Sequence, residues 1–127
     1  MKIYKIKPVP KPRMSRQDAW RKRDCVVRYW NFKAHCKLLD FKLPDEAFHI
    51  HFILPMPDSW SKKKKAEMLG KPHKQKPDID NMLKAVFDAI FDTDEHINDC
   101  RVSKWWGEEP CIIVQEIGLS VNPLFVK

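Results

Sequence analysis

A chain of 127 residues holds about one domain, since domains run to roughly 100–150 residues, so a two-domain enzyme is not expected. With 43% hydrophobic and 32% charged residues and a mean hydropathy of −0.53 it can bury a core, yet no apolar run approaches the ~20 residues that span a membrane. Its 24 Lys and Arg against 17 Asp and Glu give a net charge of +7, unevenly placed: the first 84 residues carry 21 basic and 9 acidic groups, the last 43 only 3 and 8.

A basic stretch of this size attracts polyanions and releases counterions from each phosphate it neutralises. Nucleic acid is therefore the leading partner, with an anionic membrane surface, or charge that serves solubility alone, as the alternatives. The start MKIYKIKPVP has no apolar segment of ~7–15 residues before a small-residue cleavage site, so no secretion signal is expected and the cytoplasm is the expected compartment. Cys25, Cys36, Cys100 and Cys111 lie too far apart for a CxxC pair and are expected as free thiols.

Along the chain, Ile3 and Ile6 among lysines predict a short strand over residues 2–7, running through Pro8, Pro10 and Pro12 into an extended loop that carries Lys11 and Arg13. Ser15 followed by Asp18 imitates a capping box, and Trp20, Val27, Trp30, Ala34 and Leu38 recur at helical spacing to about residue 38. That spacing predicts a buried tryptophan stripe with Arg16, Arg21, Lys22, Arg23, Arg28 and Lys33 on the wet faces. In AFHIHFIL, Phe48, Ile50, Phe52 and Leu54 alternate along one face of a strand closed by Pro55 and Pro57. His49 and His51 share the other face, where two histidines alone make a poor metal site and more often line a sheet.

Ser61 predicts the cap of a short helix that Gly70 ends, with Lys62, Lys63, Lys64 and Lys65 in its first turns. Cations at a helix N-terminus oppose the macrodipole by a few tenths of a kcal/mol each, which suggests phosphate contact; a solvated loop is the plain alternative. In DIDNMLKAVFDAIF, Met82, Leu83, Val86, Phe87 and Ile90 fall on one stripe, predicting a core helix of about 13 residues or ~20 Å. Pro77 biases Lys76 to an extended conformation and Asp78 is a good N-cap, so its start is well signalled. After DTDEHIND, residues 100–106 and 111–121 predict two strands joined by GEEP as a hairpin.

The candidate chemistry lies in PDIDN and in Asp99, 21 residues after Asp78. Asp78 and Asp80 straddle the first turn of a helix anchored by its apolar stripe, and Lys84 lies one turn on along the same face. If the loop before Asp99 returns it to that helix end, three carboxylates and an ammonium converge within a cationic chain. Carboxylate oxygens suit Mg²⁺ or Mn²⁺, which retain waters and bridge to phosphate, and such an ion can activate water and shield charge at a scissile phosphate. The structural alternative has Asp78 as a cap, Asp80 paired with Lys84 for well under ~1 kcal/mol, and Asp99 as a turn former. With only 3 glycines there is no phosphate loop, and neither a nucleophile elbow nor HExxH occurs.

KPDIDNMLKAVFDAIF, followed by IND ahead of CRVSKWW, resembles the RusA-type Holliday junction resolvases. The likeness extends upstream through MPDSWSKKKKAEMLGKPHKQ, as in the phage-borne branch, and covers most of residues 45–120. The family pattern falls here on Asp78, Asp80, Lys84 and Asp99. The resemblance implies a small homodimeric endonuclease that binds four-way DNA junctions and, with Mg²⁺, nicks two opposed strands symmetrically. It implies three carboxylate ligands, a catalytic Lys84 and a junction-binding surface on the basic N-terminal loop and helix. Residues Lys11, Arg13, Arg16, Lys62, Lys63, Lys64, Lys65 and Lys76 are the candidates for DNA contact. PVPKPRMSR departs from the loop of the better-known branch, so no preferred dinucleotide carries over.

A compact monomer of this length has a radius of gyration near ~14 Å, smaller than a duplex is wide, so paired incision calls for two copies about a twofold axis. Trp105 and Trp106 are candidate interface anchors, with core packing the use of at least one. The expected fold is one α/β domain over residues 1–127, a mixed sheet of about four strands flanked by two main helices plus a short lysine-rich helix. Two other functions stay open: a non-catalytic basic DNA-binding or regulatory module of phage origin, and a nuclease for forks or flaps.

Overall fold

Alternating apolar residues build four strands that pair into one mixed sheet, and two helices cover one of its faces. The computed structural model describes residues 1–13, 23–118 and 124. In chain order the elements are β1 (Lys2–Tyr4), α1 (Asp24–Leu38), β2 (Ala47–Pro55), α2 (Lys62–Met68), α3 (Ile79–Ile90), β3 (Cys100–Gly107) and β4 (Cys111–Gly118). The sheet order is β1-β4-β2-β3, with β3 parallel to β2 and the other two pairings antiparallel. The expected single α/β domain with a four-stranded mixed sheet is what forms. Among the described residues no helix is long and apolar enough to cross a membrane.

The alternation in β2 sets the core. Phe48, Ile50, Phe52 and Leu54 are buried against Tyr29, Phe32 and Cys36 of α1 and Met82, Ala85 and Val86 of α3. On the opposite face, which no helix among the described residues covers, His51 accepts a hydrogen bond at Nδ1 from Trp105 Nε1 (3.0 Å). Its Nε2 therefore carries the proton and donates to Gln115 Oε1 (2.6 Å). His49 stacks on His51 at 3.7 Å between centroids and bonds Ser103 Oγ at 2.8 Å, so both histidines serve the sheet.

Three expectations are corrected. Residues 100–106 and 111–118 do not form a hairpin, because β2 lies between them. An interior strand leaves backbone N–H and C=O groups at both edges to be paired. The chain after β3 therefore passes over the end of β2, where Pro55 offers no donor, and returns along its far side. Two strand spacings are about 10 Å, within reach of the three linking residues.

The buried stripe of α1 is Val26, Tyr29, Phe32 and Cys36, not the predicted tryptophan series. Trp30 and Leu38 are exposed, at 41% and 85%, because apolar residues surround this helix and spacing alone does not select the inward face. Trp20, Ser15 and Arg16 lie outside the described residues, as do residues 119–121 of the expected last strand. The first strand stops at Tyr4, where the chain turns and Ile6 N–H bonds the Tyr4 carbonyl at 2.9 Å. The four cysteines are free, with Cys25 exposed and Cys36 buried.

Candidate active site

Helix α3 begins where the sequence places it, with Asp78 at the N-cap position and Asp80 in the first turn. The Asp78 side chain makes no capping hydrogen bond to the helix, which leaves its carboxylate turned to other uses. Both carboxylates are exposed. Lys84 Nζ stands 4.0 Å from Asp80 Oδ2 with both side chains about two-thirds exposed, an ion pair of small energetic weight that does not tie either group down.

The segment leading into α3 is fastened to the edge of β3. Gly70 N–H bonds Trp106 O (2.9 Å), Trp106 N–H bonds Lys71 O (3.0 Å), and His73 N–H bonds Lys104 O (3.1 Å). The His73 ring packs on Trp106 with centroids 4.0 Å apart, and Trp60 packs on the same indole at 4.8 Å. Trp106 is thus a core residue, whereas Trp105 stands half-buried on the helix-free face. Lys104 Nζ then donates to Gln75 O (2.6 Å) and Pro77 O (2.9 Å), immediately before Asp78. Burial lowers the Lys104 pKa, and the neighbouring Asp78 charge opposes that shift.

Asp99 has a different address. Cys100, the next residue, pairs with Phe48 at the start of the parallel ladder. Phe87, near the end of α3, packs edge-on against Phe48 at 6.5 Å, while Asp78 and Leu54 share the wall of one cleft. Helix α3 therefore runs opposite to β2 and β3, and Asp99 arrives near its far end. Twelve helical residues extend about 18 Å. Among the described residues no group of three or more His, Cys, Asp or Glu side chains is arranged to hold an ion. Mg²⁺ is commonly held by one or two carboxylates together with waters and substrate phosphate. The exposed oxygens of Asp78 and Asp80 fit that demand.

The cleft beside the α3 tip has a volume of about 630 Å³. Pro8, Val9, Pro10, Pro12, Leu54 and Pro77 supply its apolar lining, and Lys7, Arg13, Arg23, Arg28 and Lys76 add five cations next to Asp78 and Asn81. The proline-bearing loop is held in place by Lys11 N–H bonding Asn81 O at 2.9 Å. Lys11, a candidate DNA contact, commits its ammonium to Asp88 Oδ2 at 2.6 Å, and Tyr29 Oη donates to the same oxygen at 2.8 Å. Burial, that hydrogen bond and the Asp88 charge all push the Tyr29 hydroxyl pKa up. For Asp88, burial pulls upward, but the hydrogen bonds from Lys11 and Tyr29 prevail and lower its pKa.

The lysine run forms α2 as expected, with Ser61 Oγ accepting from Lys64 N–H at 3.1 Å and Gly70 following at φ 77°. Lys62, Lys63 and Lys64 are exposed, and Lys64 Nζ sits 4.4 Å from the Trp60 ring centroid. Sequence reasoning had Arg23 and Arg28 on a DNA-binding helix but not in one cleft with Asp78, where folding puts them, and it missed Lys7 and Lys104. The last had a visible signal. Cys100, Val102, Lys104 and Trp106 share the inward register of β3, so a lysine interrupts an otherwise apolar series.

A family model described as Endodeoxyribonuclease RusA matches residues 5–116. A protein of Bacillus subtilis (strain 168) with the printed name "Uncharacterized protein YqaN" is 43% identical over 68 residues. That match takes in 47% of this chain and 48% of the relative, so it spans about half the length of the curated protein. No solved structure matches.

Proposed function

Because this chain belongs to the RusA endodeoxyribonuclease family, we propose that it is a Mg²⁺-dependent endonuclease that resolves four-way DNA junctions by paired, symmetric nicks. The observation that carries this reading is the placement of Asp78 and Asp80 beside a cleft lined by five cations. Backbone phosphates approach the cations, and the carboxylates await the strand that is to be cut. Arg13 and Lys76 line this cleft, and the exposed lysines of α2 would add further phosphate contacts.

Asp78 and Asp80 would hold the ion, with Mn²⁺ able to replace Mg²⁺. When bound, the ion supplies an activated water and shields the charge that develops on the phosphate and the leaving oxygen. Lys84, one turn along, offers its ammonium to that developing charge or to the orientation of the attacking water. The resembled pattern adds Asp99 as a third ligand, which would have to be drawn to the helix tip from its place near the other end of α3. Its place at the start of β3 makes Asp99→Asn the variant that defines the ligand set. Loss of Mn²⁺ binding keeps Asp99 in the site, and unaltered binding removes it.

Two copies are needed for paired cuts. The helix-free face of the sheet supports pairing there, since Ile3 and Ile117 are exposed at 56% and 47% beside half-buried Ile53, Trp105 and Ile113.

The test is incision of a synthetic mobile junction with Mg²⁺, with EDTA, and with Asp80→Asn. Nicking is expected only with Mg²⁺ and wild-type protein. The variant should bind the junction in EDTA as tightly as wild type or tighter, because it has lost a negative charge. Asp80→Asn nicking at the wild-type rate would overturn the reading. Linear duplex, fork and flap under the same salt separate a four-way preference from a general taste for branches.

A further inference from the structure

We infer that Lys104 is a positioning residue for the metal-binding carboxylate of Asp78: its ammonium clamps the carbonyls of Gln75 and Pro77 and sets the approach of the chain to the tip of α3. This inference rests on the reading of Asp78 as a ligand.

Lys104 is the one cation in the inward register of β3, opposite buried Phe52 and between Val102 and Trp106. A lysine there loses hydration, and burial lowers its pKa accordingly. Its two bonds of 2.6 and 2.9 Å replace that hydration with carbonyls of one short segment. The same segment is already pinned upstream by three backbone bonds to Trp106 and Lys104 and by the His73 ring. Those contacts end at Gln75, where the His73 Nδ1 accepts the Gln75 N–H at 3.4 Å. Between Gln75 and the first turn of α3, the Lys104 ammonium is, among the described residues, the hydrogen-bonded link from this segment back to the sheet. Lys104 spans the gap that sheet pairing does not cover.

Charge alone predicts the opposite of what positioning predicts, which makes the assignment testable. A cation beside an ion site repels Mg²⁺, so neutralising it strengthens ion binding if Lys104 acts only through its field. If Lys104 acts by holding residues 75–77, neutralising it lets Asp78 wander and weakens ion binding. A misplacement of ~1 Å in a catalytic group costs about 10²-fold in rate.

The experiment compares wild type, Lys104→Met and Lys104→Arg as full chains. Mn²⁺ binding is measured calorimetrically without DNA, and amide exchange over residues 74–80 is measured without metal. For Lys104→Met we expect Mn²⁺ affinity to fall at least fivefold and exchange over residues 76–80 to rise at least tenfold. Exchange in β2 and β4 should stay at wild-type values, showing that the fold is kept. Lys104→Arg, which keeps charge and donors, should recover most of both. Junction cleavage at saturating Mg²⁺ should fall about 10²-fold in Lys104→Met, with junction affinity in EDTA within twofold of wild type. Tighter Mn²⁺ binding, or unchanged exchange over residues 76–80, overturns the assignment. If Lys104→Met does not fold, Lys104→Gln, which retains a donor without charge, is judged by the same two measurements. Wild type that binds Mn²⁺ but never nicks a junction would refute the proposed function and leave the exchange result standing.

Discussion

Replacing Lys62 and Lys63 together by alanine should flatten the salt dependence of junction affinity by nearly two slope units. Both side chains are exposed in the first turn of α2, and among the described residues neither holds a partner. Lys64 differs, being drawn over the Trp60 ring, and Lys65 is half-buried. Each phosphate neutralised contributes about −0.9 to the slope of log affinity against log salt, so two lysines contribute about −1.8. Between ~50 and ~200 mM salt the wild type should therefore lose about 12-fold more affinity than the variant. The assay is anisotropy of a labelled four-way junction in EDTA over a salt series. Stability provides the control, because removing cations from a helix N-terminus relieves a few tenths of a kcal/mol each. The variant should melt no lower than wild type. Parallel slopes would refute the reasoning even if affinity fell, since they would mean these lysines do not displace counterions.

Tyr29→Phe removes the hydroxyl that, with Lys11, binds one Asp88 oxygen, and should cost about 1 kcal/mol in urea unfolding; no change would mean the bond to Asp88 adds nothing. Burial lowers the pKa values of His49 and His73, with Arg101 and His51 adding to the first and Lys104 to the second. Because the unfolded chain then binds more protons, stability is complete above the ordinary histidine value of 6.5 and declines as pH falls below it. The slope should reach at most about 1.4 kcal/mol per pH unit for each histidine, and His73→Gln should reduce it; a flat profile between pH ~7 and ~5 contradicts this. Gly107→Ala drives a methyl into the Ile53 side chain on β2 and should cost about 1–3 kcal/mol in the same unfolding assay, and unchanged stability would show that Ile53 yields freely.

What the sequence makes legible follows from how far each signal reaches. The alternation of β2 and the stripe of α3 are local, and both survive intact: Phe48, Ile50, Phe52 and Leu54 meet Met82 and Val86. The inward face of α1 was not legible, because Val26, Val27, Tyr29 and Trp30 offer apolar contact in several directions and the packed partner decides. The GEEP turn gives the same local pattern whether β4 pairs with β3 or crosses to the far edge of β2. The position of Asp99 depends on that topology. In a strand, helix, parallel strand unit the helix runs back along the sheet, so a residue just before the second strand lands where the helix ends. The cleft was illegible for a simpler reason, since Lys7, Arg28 and Lys76 are distant in the chain.

Three departures from local rules fall close together in the chain. An aspartate holds an N-cap position without capping, lysines crowd the wrong end of a helix dipole, and a lysine occupies the inward register of a strand. None of the three is what helix or sheet stability selects, and each alone reads as an imperfection of a few tenths of a kcal/mol to about 1 kcal/mol. All three lie between Ser61 and Lys104, on the segment that carries the chain from β2 through α3 and into β3. The first leaves a carboxylate unspent for an ion, the second keeps positive charge exposed for phosphate, and the third fixes the carbonyls that lead to that carboxylate. Sequences agree with their folds at most positions, so departures gathered on one stretch mark where function overrides folding. Taking Asp78, Asp80 and Lys104 as one unit predicts non-additivity. Lys104→Met should further weaken Mn²⁺ binding in wild type but add almost nothing in Asp78→Asn, since the clamp then positions a group that no longer binds the ion.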